Sequence, residues 1–316
     1  MIRFLKRYHK QLFGLLVLAI FVVYFVRNIE SFKILLDVRP IFLVGVAVCY
    51  VAIVFTNGLF IKYVIEPFNK HISVRESVRV SLISSLGNFF ASSGAGLGFR
   101  AVYLKKKHGL SYGDYMTTMY GNYLLFFIIN AVLGLISLLL IANKDSVQYK
   151  GAFLFFAGLL IVSLVLCFVP IPKLFAGKTK NKYVSSVLEF VYKMTEGWSR
   201  IVKNRRLLMH LTILVSIQLV LTILIGWLEI SSLHIVIGFP ELLLFSVLGS
   251  MSIFISLTPG NLGVKEGIYI LTASVIGLTT PQIVSIALID RGILFGTLFV
   301  LWLMFGRGEK MKTEPR

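Results

Sequence analysis

Uninterrupted apolar runs occupy about residues 12–26, 41–61, 115–142, 151–169, 207–231 and 282–305. Continuous runs without polar alternation read as membrane-spanning helices, not barrel strands. Two further apolar segments are interrupted. The first, about 80–104, contains SSGAGLGFRAVYL, and the second, about 242–279, contains SLTPGNLGVKEGIYIL. The pattern predicts an all-α polytopic integral membrane protein. It has about six full spans and two broken helical hairpins, either re-entrant or short crossing pairs.

Composition points the same way. Of 316 residues, 57% are hydrophobic and 15% charged, and mean hydropathy is +0.86, which no soluble globular domain approaches. Cys49 and Cys167 both lie in apolar runs and read as small buried side chains. The basic start, MIRFLKRYHK, leads into an apolar run with no small-residue cleavage site behind it. The expectation is a retained first helix and not a signal peptide.

A formal charge of +18 raises nucleic acid as a partner, but the placement of the basic residues answers to membrane orientation instead. If each broken segment enters and leaves on one side, most of the 32 Lys and Arg fall on a single face, in 1–11, 62–79, 100–107, 170–206 and 306–316. The exceptions are Arg27, Lys33, Arg39, Lys144 and Lys150 on the other face, with Lys265 and Arg291 at membrane depth. The expectation is a multi-pass protein of the plasma (cytoplasmic) membrane with both termini cytoplasmic and no nucleic-acid partner.

The whole chain, 1–316, reads as one membrane domain. A first half over 1–169 and a second over 207–306 are joined by a cytoplasmic amphipathic linker over 170–206. In the linker Val184, Val187, Leu188, Val191, Met194, Trp198, Ile201 and Val202 recur at helical spacing, with Lys193, Arg200 and Lys203 on or beside the polar face. They predict a helix that either lies on the inner leaflet or serves as a solvated connector. No loop reaches the roughly 50 residues of a small domain, so no soluble catalytic domain is expected between the spans.

The two interruptions resemble each other. Aligning Gly98 with Gly263 pairs Leu97 with Leu262 and Arg100 with Lys265. Further on, GLS at 109–111 meets GLT at 277–279, and Asn122-Tyr123 falls opposite Asp290-Arg291. In the charge-derived topology the first hairpin opens to the cytoplasm and the second to the outside, so the copies form an inverted repeat. Broken helices at matching places of such repeats point to a transport site near the bilayer midplane.

Lipid offers no hydrogen bonds, so broken backbone persists only against protein or a wet cavity. Pro259 ends one half-helix, and Gly260 and Gly263 permit a tight reversal. The next half-helix, expected from about Leu262, turns its free N–H groups toward the break and so favours an anion. Lys265 adds a full charge there. A lone carboxylate at this depth is costly, which predicts that Glu266 pairs with Lys265, Arg291 or Arg100. The candidate binding set is therefore Arg100, Lys265, Glu266, Asp290 and Arg291. Pro259, Gly260, Asn261 and Gly263 shape the second break, and Gly94, Gly96 and Gly98 shape the first. The competing role for these charges is to pin helices together. Asn57, Asn88, Asn122 and Asn130 read as interhelical hydrogen-bonding groups, and Glu229 as interfacial.

At these residues the sequence resembles the flippase-like membrane family related to the transmembrane region of lysylphosphatidylglycerol synthases. The shared features are PGNLGVKEG (259–267), SGAGLGFRAVYL (93–104), GLS (109–111), the late DR (290–291) and the order of spans over about residues 8–306. The family's first motif usually has Pro-Gly and often Glu, with an acidic–Arg pair in the following span. Here Ser93-Gly94, Phe99 and Asn122-Tyr123 stand in those places. The resemblance implies a protein that moves lipids between leaflets. Bifunctional members add a cytosolic aminoacyltransferase domain, which is not expected in a chain ending just after its last span.

The function expected is thus a lipid translocase for an anionic phospholipid or a polyprenyl-phosphate-linked lipid. The glycine-rich stretches lack the phosphate-loop spacing G-x-x-x-x-G-K-[ST], so ATP-driven transport by this chain alone is not expected. No catalytic constellation, metal-ligand spacing or cofactor motif emerges. Two other readings stay open: a membrane-embedded lipid-phosphate transferase, and a non-transporting partner of a lipid-modifying enzyme.

Overall fold

The structure, a computed structural model, describes residues 34–90, 94–141, 146–168, 182–252 and 261–306. The expected first span and Pro259 and Gly260 lie outside the described residues. Within them the fold is all helical: α1 (Pro40–Ile65), α2 (Val74–Phe90), α3 (Ala95–His108), α4 (Tyr112–Leu140), α5 (Val147–Phe168), α6 (Lys182–Lys203), α7 (Arg205–Ser232), α8 (Phe239–Met251), α9 (Val264–Leu271), α10 (Ala273–Ile276) and α11 (Thr280–Phe305). Five of these, α1, α4, α5, α7 and α11, are long and apolar enough to cross a membrane. Local chemistry sets their starts. Pro40 opens α1, the Ser111 hydroxyl caps α4 by accepting from the Asp114 N–H at 3.0 Å, and Thr279 with Gln282 caps α11.

The centre of the bundle is an antiparallel pair. The Arg39 N–H, at the start of α1, donates to the Ser232 carbonyl, at the end of α7, at 3.1 Å. Midway, Gln218 donates to Asn57 at 3.2 Å, and at the far end Tyr63 stacks on His210 with ring centroids 4.0 Å apart. That far end gathers Lys62, Arg79, Lys105, Lys106, Lys107, Arg200, Arg205 and Arg206, whereas Arg39 and Lys150 lie at the opposite one.

Helices α2 and α3 form a hairpin whose two mouths meet at the basic end. There Glu76 accepts from Tyr103 at 2.7 Å and lies 2.9 Å from His108 and 3.0 Å from Lys107. Deeper in, Asn88 accepts the Gly96 N–H at 2.8 Å, and a Cβ on Gly96 would run into the Ser84 carbonyl oxygen. Helices α8, α9 and α10 make the second hairpin. It opens at the other end, where Leu242, Ile276 and Leu278 share a core with Leu138, Ile141 and Tyr149.

The halves exchange partners. Helix α4, which follows the first hairpin, packs on α8 of the second; α11, which follows the second, packs on α2 of the first. Ser137 seals the first contact by donating to the Pro240 carbonyl at 2.7 Å, and Arg79 seals the other by donating to the Gly306 carbonyl at 3.2 Å. Helix α5 shows Leu154, Phe155, Ile161 and Val162 outward, as a lipid-facing span does.

The amphipathic linker helix forms as α6, but it lies against protein. Met194 and Ile201 are buried, and Gly197 meets Gly121 of α4 so closely that a Cβ on either would strike the other helix's backbone. Arg200 adds an ion pair to Asp114 of α4 at 2.8 Å.

Candidate functional site

Among the described residues, four glycines hold the left-handed backbone that side chains avoid: Gly94, Gly109, Gly263 and Gly277, with φ of 74°, 66°, 81° and 77°. They fall in matched places. Gly94 starts α3 and Gly263 starts α9; Gly109 closes α3 and Gly277 closes α10. The structural register therefore sets Gly94, not Gly98, opposite Gly263. Asn122 still falls opposite Asp290, but Arg100 now falls opposite Tyr269, and Lys265 opposite Gly96. Gly98 borders open space.

At the second break the backbone turns at Asn261, itself left-handed with φ of 59°, whose amide donates to the Ser252 carbonyl at 2.9 Å. Gly263 then begins α9. Its N–H is taken by the Glu266 carboxylate at 2.8 Å, so the helix closes its own first turn. The other oxygen of Glu266 receives Arg291 of α11, with Nη2 at 2.5 Å and Nε at 3.1 Å. One helical position away, Lys265 places its Nζ 2.9 Å from Asp290 of α11. The expected pairing of Glu266 is thus with Arg291.

Three further residues complete this charged layer. The Tyr50 hydroxyl of α1 donates to Asp290. Tyr269, stacked on Phe245 with centroids 4.0 Å apart, lies beneath the Lys265 ammonium, 5.8 Å from its ring centre. Glu229 of α7 faces Asp290 and Lys265, and it is 2% exposed, with no hydrogen-bond partner for Oε1 among the described residues. Reading Glu229 as interfacial is therefore corrected: it lies near a helix end, but α1 and α11 cover it. Tyr50, Glu229 and Tyr269 were not among the residues anticipated. The signal available for Glu229 was a carboxylate in an apolar run with no basic residue one turn away.

Arg100 lies elsewhere. It is buried on α3 beside Tyr115 and Tyr123 of α4, and no hydrogen bond or ion pair among the described residues joins it to Lys265, Glu266, Asp290 or Arg291. The structure thus brings together Lys265, Glu266, Asp290, Arg291, Asn261 and Gly263, and leaves Arg100 with Gly94, Gly96 and Gly98 in the first hairpin. Asn57, Asn88 and Asn130 make interhelical bonds as expected, Asn130 by accepting from Ser250 at 2.7 Å.

Chemically, the second break holds two cations and two anions in mutual contact, with one more carboxyl alongside. Such a layer satisfies its own charge in an apolar bundle, where single ions are expensive. Among the described residues no cluster of His, Cys, Asp and Glu is arranged for a metal ion.

No curated protein and no solved structure shows significant similarity to the chain. The family described as lysylphosphatidylglycerol synthase TM region matches residues 11–301. That range takes in every helix up to the last span and both breaks, so the chain belongs to this family, and the protein is a membrane protein related to lipid modification or translocation.

Proposed function

We propose that the protein is a lipid translocase that carries an anionic or phosphate-linked headgroup between leaflets while the acyl or prenyl tails stay in the bilayer. The observation that supports this most is the charged layer from Lys265 to Arg291, set at a helix break inside the apolar bundle. A structural pin needs one ion pair. Here two pairs, two tyrosines and an additional carboxyl gather at one break.

The antiparallel relation of the halves supports the same reading. Corresponding elements run in opposite directions, so a path open to one leaflet has a counterpart open to the other, the arrangement of inverted-repeat carriers. With the basic end placed in the cytoplasm by the positive-inside rule, the α2–α3 hairpin opens inward and the α8–α10 hairpin outward. The cations inside the bundle, Arg100 at the first hairpin and Lys265 with Arg291 at the second, give the path of a headgroup phosphate its positive potential.

The test is reconstitution of the purified chain in liposomes containing fluorescent phosphatidylglycerol, followed by bleaching of the outer leaflet. Transfer faster than in protein-free vesicles is expected. Chemical conversion of the lipid would point instead to an embedded transferase, and neither transfer nor conversion would point to a partner of a lipid-modifying enzyme.

A further inference from the structure

Arg100 differs from the two cations of the second break. Those are neutralised within the protein, Lys265 by Asp290 and Arg291 by Glu266. Arg100 is only 9% exposed, makes no ion pair among the described residues, and its Nε finds no acceptor. The nearest carboxylate on the hairpin, Glu76, is already taken by Tyr103, Lys107 and His108.

Two more polar groups on the facing helix are in the same condition. The Tyr115 hydroxyl, which faces Arg100 without closing a hydrogen bond of good geometry, and Asn122 Oδ1, two turns further along α4, are buried and find no hydrogen-bond partner among the described residues. In the structural register Asn122 holds the place that Asp290 holds in the second half. Among the described residues the first half therefore has the cation without the matching carboxylate.

A buried guanidinium without a counterion is costly, and removing that cost is what a bound anion does best. Its planar fork of donors matches a phosphate, and a tyrosine hydroxyl adds a neutral donor. We propose that Arg100, with Tyr115, takes the phosphate group of the ligand, and that Lys265 and Arg291 do not bind it directly. This division of labour rests on the translocase reading, and it moves the anion site from the second hairpin to the first.

Binding is measured on the full chain in detergent micelles by native mass spectrometry and titration calorimetry. The probes are short-chain phosphatidylglycerol, the phosphate-free diacylglycerol, and inorganic phosphate. Arg100→Gln is expected to weaken phosphatidylglycerol binding about 10–100-fold. The double variant Lys265→Met with Asp290→Leu, which removes a neutral pair, is expected to bind like the wild type. Should Arg100→Gln fail to fold, Arg100→Lys keeps the charge without the fork and is expected to bind more weakly than wild type.

Lipid binding alone, lost with Arg100, identifies a headgroup site. Binding of inorganic phosphate with the same dependence on Arg100 identifies a site for phosphate itself. Unchanged binding by both Arg100 variants, or loss in the Lys265/Asp290 double variant, overturns the proposal. Leaflet transfer run in parallel separates the two levels. A wild type that binds but never transfers lipid defeats the translocase reading alone, whereas normal transfer by Arg100→Gln defeats this assignment alone.

Discussion

Lys265 and Asp290 meet at 2.9 Å across the junction between the half-helix α9 and the long span α11, and Tyr50 reaches the same carboxylate from α1. The contact ties a helix break to two spans, one from each half of the chain. It also neutralises a lysine that the sequence alone presents as a bare positive charge.

Removing one partner strands the other in an apolar bundle. Lys265→Met or Asp290→Leu is expected to lower stability by about 3–5 kcal/mol, and the double variant to recover most of that loss. Unfolding midpoints in detergent for the two singles and the double check it. Additive losses would mean that the pair is not coupled.

Glu266 does two jobs, capping the Gly263 N–H at 2.8 Å and holding Arg291. Glu266→Gln keeps an acceptor for the cap and loses the ion pair, so it is expected to destabilise less than Glu266→Ala. Gly263→Ala, forced into φ of 81°, is expected to cost about 1–2 kcal/mol by itself. Thermal midpoints of the three variants rank these effects.

The mouth of the first hairpin responds to acid. Burial pushes the Glu76 carboxyl upward, but bonds from Tyr103, His108 and Lys107 outweigh it and hold it below the usual carboxylate range. A carboxylate depressed in the folded state stabilises it above the unfolded value, and that contribution disappears as pH falls through the folded one. The difference in thermal midpoint between wild type and Glu76→Gln is therefore expected to be full near neutral pH and to close below about pH 4. A difference that grows in acid would contradict the sign.

Helix α6 is held by the absence of side chains at Gly121 and Gly197, with Arg200 pinned to Asp114 at 2.8 Å. Gly197→Leu is expected to push α6 off α4 and open it to limited proteolysis, whereas Arg200→Gln, which removes only a half-exposed pair, is expected to leave the digestion pattern nearly unchanged.

Long apolar runs made the spans α1, α4, α5, α7 and α11 legible, because length and hydropathy are local properties. The breaks were legible for the same reason, since glycine clusters interrupt a pattern wherever they occur. Register was harder: Gly94 and Gly98 look alike in sequence, and only backbone conformation shows that Gly94 matches Gly263. Lys265, Glu266, Asp290 and Arg291 stood out as charges in apolar surroundings, but who pairs with whom depends on α9 lying against α11. Glu229 was misread because its burial comes from α1 and α11, distant in sequence. The docking of α6 was hidden likewise, in two glycines on separate helices.

The most direct measurement is phosphatidylglycerol transfer between leaflets of liposomes holding the wild-type chain or Arg100→Gln, with folded content matched. Rapid transfer by the wild type and its collapse in Arg100→Gln is the predicted result. A wild type no faster than empty vesicles, across phospholipids and polyprenyl-phosphate lipids alike, would contradict it.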